Sequence, residues 1–121
     1  MVRLTCLLHR RPGMSPEEFH RYWREVHGPL IATTRSGSHV VRYEQHPRPL
    51  ESYAGGDGTG CDGVTVQWFE SMDEYQAHLA EDDFGVIWAD ITNFLDVDRL
   101  HFVVTEHPRV LIGEQAPGPL A

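Results

Sequence analysis

The chain is 121 residues long, 40% hydrophobic and 23% charged, which suits one ordinary soluble globular domain and leaves no room for two. Ten Lys and Arg against eighteen Asp and Glu give a formal charge of −8, a poor match for nucleic acid or an anionic membrane surface. Two cysteines, Cys6 and Cys61, make no disulfide framework, no eighteen apolar residues run together, and the opening MVRLTCLLHRRPG lacks a signal-peptide core. A cytoplasmic protein that neither spans a membrane nor is exported is the expectation.

Val2 to His9 is an apolar, β-compatible run that ends at the turn signal Arg11-Pro12-Gly13, and it predicts a first strand. Ser15 is placed to cap the following helix, with Pro16 at the first helical position, Glu18 closing a capping box and Met14 and Phe19 forming a staple. Phe19, Trp23, Val26 and Leu30 then recur at helical spacing as one apolar stripe, and Gly28-Pro29 weakens the helix near its end. Residues 38–46 predict a short second strand before Pro47 and Pro49. Residues 47–61 hold four glycines and almost no apolar side chain, so a mobile loop or lid is expected there.

Residues 63–69 alternate, with Val64, Val66 and Trp68 on one face and Thr65 and Gln67 on the other, and predict a third strand. Ser71 to Glu74 is a second capping box, opening a helix with Tyr75 and Leu79 that runs to about Glu81. After a break, Phe84, Ile87, Trp88, Ile91 and Leu95 share one helical stripe, and residues 100–106 predict a fourth strand. The tail, residues 108–121, carries one β-like piece, Val110-Leu111-Ile112, and a frayed Pro/Gly-rich end. The order βαββαβ is that of an α+β, ferredoxin-like domain over residues 1–107, an antiparallel sheet with its helices on one face. The other face, on which the pattern puts Leu7, Val103, Thr65 and Gln67, is too mixed to be a fully wetted surface, and a second subunit is its natural cover.

Arg11-Pro12-Gly13-Met14-Ser15-Pro16-Glu17-Glu18-Phe19, followed by Tyr22-Trp23-Arg24-Glu25-Val26-His27-Gly28-Pro29-Leu30, resembles the first-helix motif of the EthD-like family. Asp62-Gly63-Val64 and Trp68-Phe69-Glu70-Ser71 resemble that family's third strand and the start of its second helix. The resemblance spans residues 1–105 and implies a dimeric α+β barrel, in which two ferredoxin-like sheets pack face to face. Relatives include an accessory protein of ether degradation and polyketide-tailoring decarboxylases, dehydratases and cyclases, so the resemblance fixes fold more than chemistry.

His27 lies about 60–80° off the centre of the first helix's apolar stripe, at the boundary of buried and exposed faces. An imidazole there can trade protons with an enol or carbonyl, or it can simply cap the last helical turn. Tyr43 can donate to a substrate oxygen or serve as a core tyrosine with a wet tip; Asp62 can orient His27, bind a hydroxyl or merely form a turn with Gly63. Trp23, Trp68 and Trp88 are expected in the layer between sheet and helices, lining an aromatic pocket or filling the core.

His20 and His27 are about 10.5 Å apart in helical rise, and no H-x-H, HExxH or CxxC spacing exists, so no metal is expected. The glycine-rich segment 55–60 leads into a strand rather than a helix and does not make a phosphate loop. The expectation is a homodimeric, cofactor-independent tailoring enzyme acting on a small hydrophobic, aromatic or polyketide-type molecule as a cyclase, dehydratase or decarboxylase. A binding or accessory protein without chemistry, and a cofactor-free monooxygenase, are the alternatives.

Overall fold

The computed structural model describes residues 1–56 and 60–114. Strands β1 (Val2–Leu8), β2 (Arg42–Pro47), β3 (Gly63–Phe69) and β4 (His101–Thr105) form one sheet in the order β2-β3-β1-β4. Every neighbouring pair is antiparallel, with Thr5 of β1 opposite Val66 of β3 and Val103 of β4. Helices α1 (Pro16–Tyr22), α2 (Gly28–Ala32), α3 (Met72–Ala80) and α4 (Phe84–Ile91) follow the predicted βαββαβ order.

Both capping boxes form on the donor side: Ser15 Oγ accepts from the Glu18 amide at 3.1 Å and Ser71 Oγ from the Glu74 amide at 3.2 Å. Between α1 and α2 the chain makes a π-helical turn, Trp23–His27, in which the Gly28 amide donates to the Trp23 carbonyl five residues back. Pro29 explains the wide turn. It has no N–H for the Glu25 carbonyl, and its ring would strike that carbonyl in a regular helix. The extra residue moves the buried line from the expected Phe19, Trp23, Val26 and Leu30 to Phe19, Trp23, His27 and Ile31, leaving Val26 44% exposed.

One core cluster joins Leu8, Phe19, Trp23, Ile91, Phe94 and Leu95; a second joins Val2, Leu4 and Phe69. Phe19, Trp23, Phe69 and Phe94 are shut off from solvent, each contributing about 1.5–3 kcal/mol of apolar burial. Gly63 is required by this packing, because a Cβ on it would lie 2.6 Å from the Trp23 ring.

Several expectations change. Thr65 is buried and, with Gln67 and Phe69, faces the helices, while Val64, Val66 and Trp68 take the open face; the alternation is as expected but its two sides are exchanged. The open face carries Leu7 and Val103, 41% and 55% exposed. The last helix ends at Ile91, and Leu95 instead forms an isolated bridge with Arg10. Within the expected loop, Leu50–Gly55 is a short 3-10 helix. Tyr53 fixes it there by donating to Asp62 Oδ1 at 2.6 Å, with the Arg48 guanidinium 4.0 Å above its ring. Val110-Leu111-Ile112 pairs with no strand among the described residues, and Leu111 and Ile112 are exposed. Residues 57–59 of the glycine-rich segment and 115–121 of the tail lie outside the described residues.

Candidate active site

The helix layer and the sheet do not close completely. They leave a cavity of about 120 Å³, lined among others by Leu4, Trp23, His27, Tyr43, Gln67, His78, Trp88 and Phe94. That volume is close to the roughly 150 Å³ of an apolar cavity that takes up one benzene ring. Among the described residues no Arg, Asp or Glu side chain lines it.

His27 reaches the cavity because the π turn brings it into register with Phe19 and Trp23, and its ring packs 4.8 Å from that of Phe94. Its Nδ1 lies 2.8 Å from Asp90 Oδ2. Asp90 is itself held by the Tyr22 hydroxyl, which donates to Oδ1 at 2.5 Å, and by Asn93 Nδ2 at 3.1 Å. Burial pushes the Asp90 carboxyl up, but the hydrogen bonds from Tyr22, His27 and Asn93 outweigh it and hold the group below the ordinary carboxylate range. An ionised carboxylate only accepts, so the His27 proton sits on Nδ1 and Nε2 keeps its lone pair. Burial also depresses the imidazole pKa, opposed by Asp90, so His27 is a neutral base near pH 7.

Tyr43 lies opposite Gln67 across the β2–β3 ladder, and both line the cavity. Gln45 Nε2 donates to the Tyr43 hydroxyl at 3.0 Å and to the Trp23 carbonyl at 2.8 Å, which leaves the phenolic proton for another acceptor. Burial raises the Tyr43 pKa, against the pull of Gln45 and Trp23, so the phenol stays a donor. On the α3 side, His78 is buried, with Nδ1 2.7 Å from the Ser36 carbonyl. A carbonyl cannot donate, so this proton too is fixed on Nδ1.

The six residues singled out from sequence divide accordingly. Trp23, His27 and Tyr43 share the cavity, and Trp88, 47% exposed, lies at its rim. Trp68 is on the opposite side of the sheet, beneath the guanidinium groups of Arg3 and Arg42 at 5.8 and 5.6 Å. Asp62 does not meet His27. Its carboxylate accepts from the Arg10 amide at 2.8 Å, from Arg10 Nη1 at 2.6 Å and from Tyr53, tying the β1 exit to the 50–55 turn.

Asp90 and His78 were not anticipated. Asp90 did leave a signal as the lone charge in the apolar helix FGVIWADI. His78 follows Tyr75 by three positions on α3, the spacing of one helical face. Among the described residues no group of three or more His, Cys, Asp or Glu could hold a metal ion.

A four-stranded antiparallel sheet in the order β2-β3-β1-β4 with its helices on one face defines the class, an α+β protein of ferredoxin-like fold. The EthD domain profile matches residues 11–98, and the chain belongs to that family. Its fold is shared by an EthD family protein from Bacillus halodurans (TM-score 0.65, 15% identity, covering 89% of this chain and 99% of that one). It is similar as well to a dimeric ferredoxin-like protein of unknown function from Bacteroides fragilis (0.61, 12%, 88% and 95%). A third similar structure is SnoaB, a cofactor-independent oxygenase from Streptomyces nogalater (0.60, 12%, 91% and 95%). No functionally curated protein matches the sequence significantly. No described helix is long and apolar enough to cross a membrane.

Proposed function

We propose that this chain is a cofactor-independent enzyme that removes a proton from a small, uncharged aromatic or polyketide-type substrate, with His27 as general base. The observation that carries the reading is the 2.8 Å bond from His27 Nδ1 to Asp90, which fixes a neutral imidazole with its basic nitrogen unclaimed by any described residue, on a cavity wall. Asp90 is the positioning residue; Tyr43 donates to the oxygen on which negative charge develops. In the simplest turnover His27 Nε2 takes an α-proton from a ketone, the C–H electron pair forms the enolate double bond, and the carbonyl π pair moves onto oxygen. Return of the proton to another carbon completes isomerisation; in aldol cyclisation the enolate carbon bonds to a second carbonyl carbon, that carbonyl's π pair moves onto its oxygen, and the alkoxide takes the proton back from His27 Nε2, with loss of water as the sequel in a dehydratase.

Within the three activities expected from sequence, the uncharged lining favours cyclase or dehydratase over decarboxylase. A carboxylate buried without a cationic partner costs several kcal/mol. A cofactor-free oxygenase is the second reading, supported by the fold shared with SnoaB: the same base would convert a phenol to the electron-rich phenolate that reacts with oxygen. We also propose a cytoplasmic homodimer packed through the open sheet face, where Leu7 and Val103 are otherwise exposed.

The test is α-proton exchange of acetophenone and 2,4-dihydroxyacetophenone in D2O, followed by proton NMR with oxygen uptake measured in parallel. Wild type should exchange above the buffer rate and His27→Ala should not. Equal rates with and without protein would overturn the enzyme reading, and binding without exchange would make this a carrier.

A further inference from the structure

Gly28 stands where the backbone gives no reason for glycine. Its φ of −56° and ψ of −54° are helical, at the junction of the π turn and α2, and alanine is the better helix former at such angles. The reason lies across the interface with β2. A Cβ on Gly28 would stand 2.9 Å from Gln45 Nε2 and 3.4 Å from the Trp23 carbonyl oxygen. The absent methyl group leaves the space through which the Gln45 side chain reaches that carbonyl.

Both protons of Gln45 Nε2 are placed. One goes at 2.8 Å to the Trp23 carbonyl, which also accepts from the Gly28 amide and opens the turn that carries His27; the other goes at 3.0 Å to the Tyr43 hydroxyl. A carbonyl cannot donate, so the amide cannot be turned over, and its nitrogen is the atom that faces Trp23 and Tyr43. Burial raises the Tyr43 pKa, and hydrogen bonds from the Gln45 amide and the Trp23 side chain oppose it by favouring the ionised phenol. Donors on the phenolic oxygen leave the hydroxyl proton one way to point, and they would steady the phenolate left once that proton is given up.

We infer that Gln45 is a positioning residue: through one amide nitrogen it aims the Tyr43 proton and ties Tyr43, on β2, to the turn that carries His27, and Gly28 is the residue that admits it. The inference deepens the function proposed above and rests on Tyr43 and His27 acting there as donor and base. Gln45 is not among the residues that line the cavity, so it acts through Tyr43. Donor and base come from different layers, sheet and helix, and this side chain holds them on one frame.

The experiment compares wild type with Gln45→Met, which keeps the length and loses the donor, and with Gly28→Ala, whose new methyl displaces the flexible end of Gln45 while the helical backbone is kept. The first readout needs no turnover. Protein carrying 3-fluorotyrosine, whose phenol ionises at lower pH than that of tyrosine, is titrated by fluorine-19 NMR, with the position-43 signal assigned by Tyr43→Phe. The midpoint at position 43 should rise by about one pH unit, tenfold in the ionisation constant, in both variants, because a donor to the phenolate is lost. The second readout is the α-proton exchange of acetophenone: kcat should fall about 10-fold or more while KM stays within about twofold, since the groups that enclose the ring are untouched. An unmoved midpoint in Gln45→Met, or a change confined to KM, overturns the inference and leaves the His27 site standing. If wild type exchanges no ketone, the function proposed above falls and the midpoint still decides the role of Gln45. Should Gln45→Met not fold, as judged by its melting temperature, Gly28→Ala decides by the same two readouts.

Discussion

Asp90→Asn separates what the His–Asp pair does for chemistry from what it does for stability. The carboxylate accepts from His27 Nδ1 at 2.8 Å, from Tyr22 at 2.5 Å and from Asn93 at 3.1 Å. In the variant the amide oxygen can still accept from Tyr22 and Asn93, so the amide nitrogen is turned toward His27. Two N–H groups cannot face each other, and the imidazole proton moves to Nε2 while Nδ1 becomes the acceptor. One hydrogen bond is kept, but a charge-assisted bond becomes a neutral one, a loss of about 1 kcal/mol. For a chain of this length that is a fall of roughly 4 °C in Tm. Catalysis should suffer far more, because the lone pair no longer faces the cavity; general-base contributions are about 10²–10⁴-fold. The assay is α-proton exchange beside a thermal melt on the same samples. Exchange within about threefold of wild type, with the melt as expected, would refute the argument that Asp90 sets the tautomer.

Gly63→Ala should destabilise the fold by about 1–3 kcal/mol, read from denaturant unfolding, since the new methyl would lie 2.6 Å from Trp23 ring carbons. Stability should also fall as pH drops below about 6.5, because burial holds His27 and His78 neutral in the folded chain while the unfolded chain takes up protons. The slope is up to about 1.4 kcal/mol per pH unit for each imidazole, until the depressed folded pKa is reached. His39, raised by Glu81 and Glu74, works in the opposite direction. Melts from pH 8 to 5 with His78→Asn as control check this, and a Tm that is flat or rises on acidification contradicts it. Val103→Asp on the open face should convert a dimer to a monomer by light scattering, with the cavity chemistry tested separately; an unchanged mass would remove that face as the interface.

The sequence carries the fold well because the relevant signals are local. Ser15 with Glu18, Ser71 with Glu74, and the alternation of residues 63–69 each act within one element, and the structure contains the corresponding two helix starts and strand. The side of the sheet that faces the helices was not legible in the same way. Val64, Val66 and Trp68 are the more apolar set, but a face covered by a partner subunit is apolar too, so hydrophobicity alone does not say which cover is a helix. Of the residues named from sequence, Trp23, His27 and Tyr43 line the cavity, and the contacts around them were not legible for a geometric reason. Regular helical counting puts His27 on a boundary; a single π turn ahead of Pro29 carries it to the buried line. Its carboxylate lies 63 residues further along the chain, and nothing local distinguishes Asp90 from Asp62 as its partner. Tyr53 likewise shows its purpose only once Asp62 and Arg48 surround it.

The most direct measurement is a long-range proton–nitrogen NMR spectrum of protein carrying nitrogen-15 histidine, assigned with His27→Ala and recorded at pH 7. The prediction is a neutral His27 ring protonated on Nδ1, with the unprotonated signature at Nε2. A ring that is charged at that pH, or that carries its proton on Nε2, would contradict the assignment of His27 as the base.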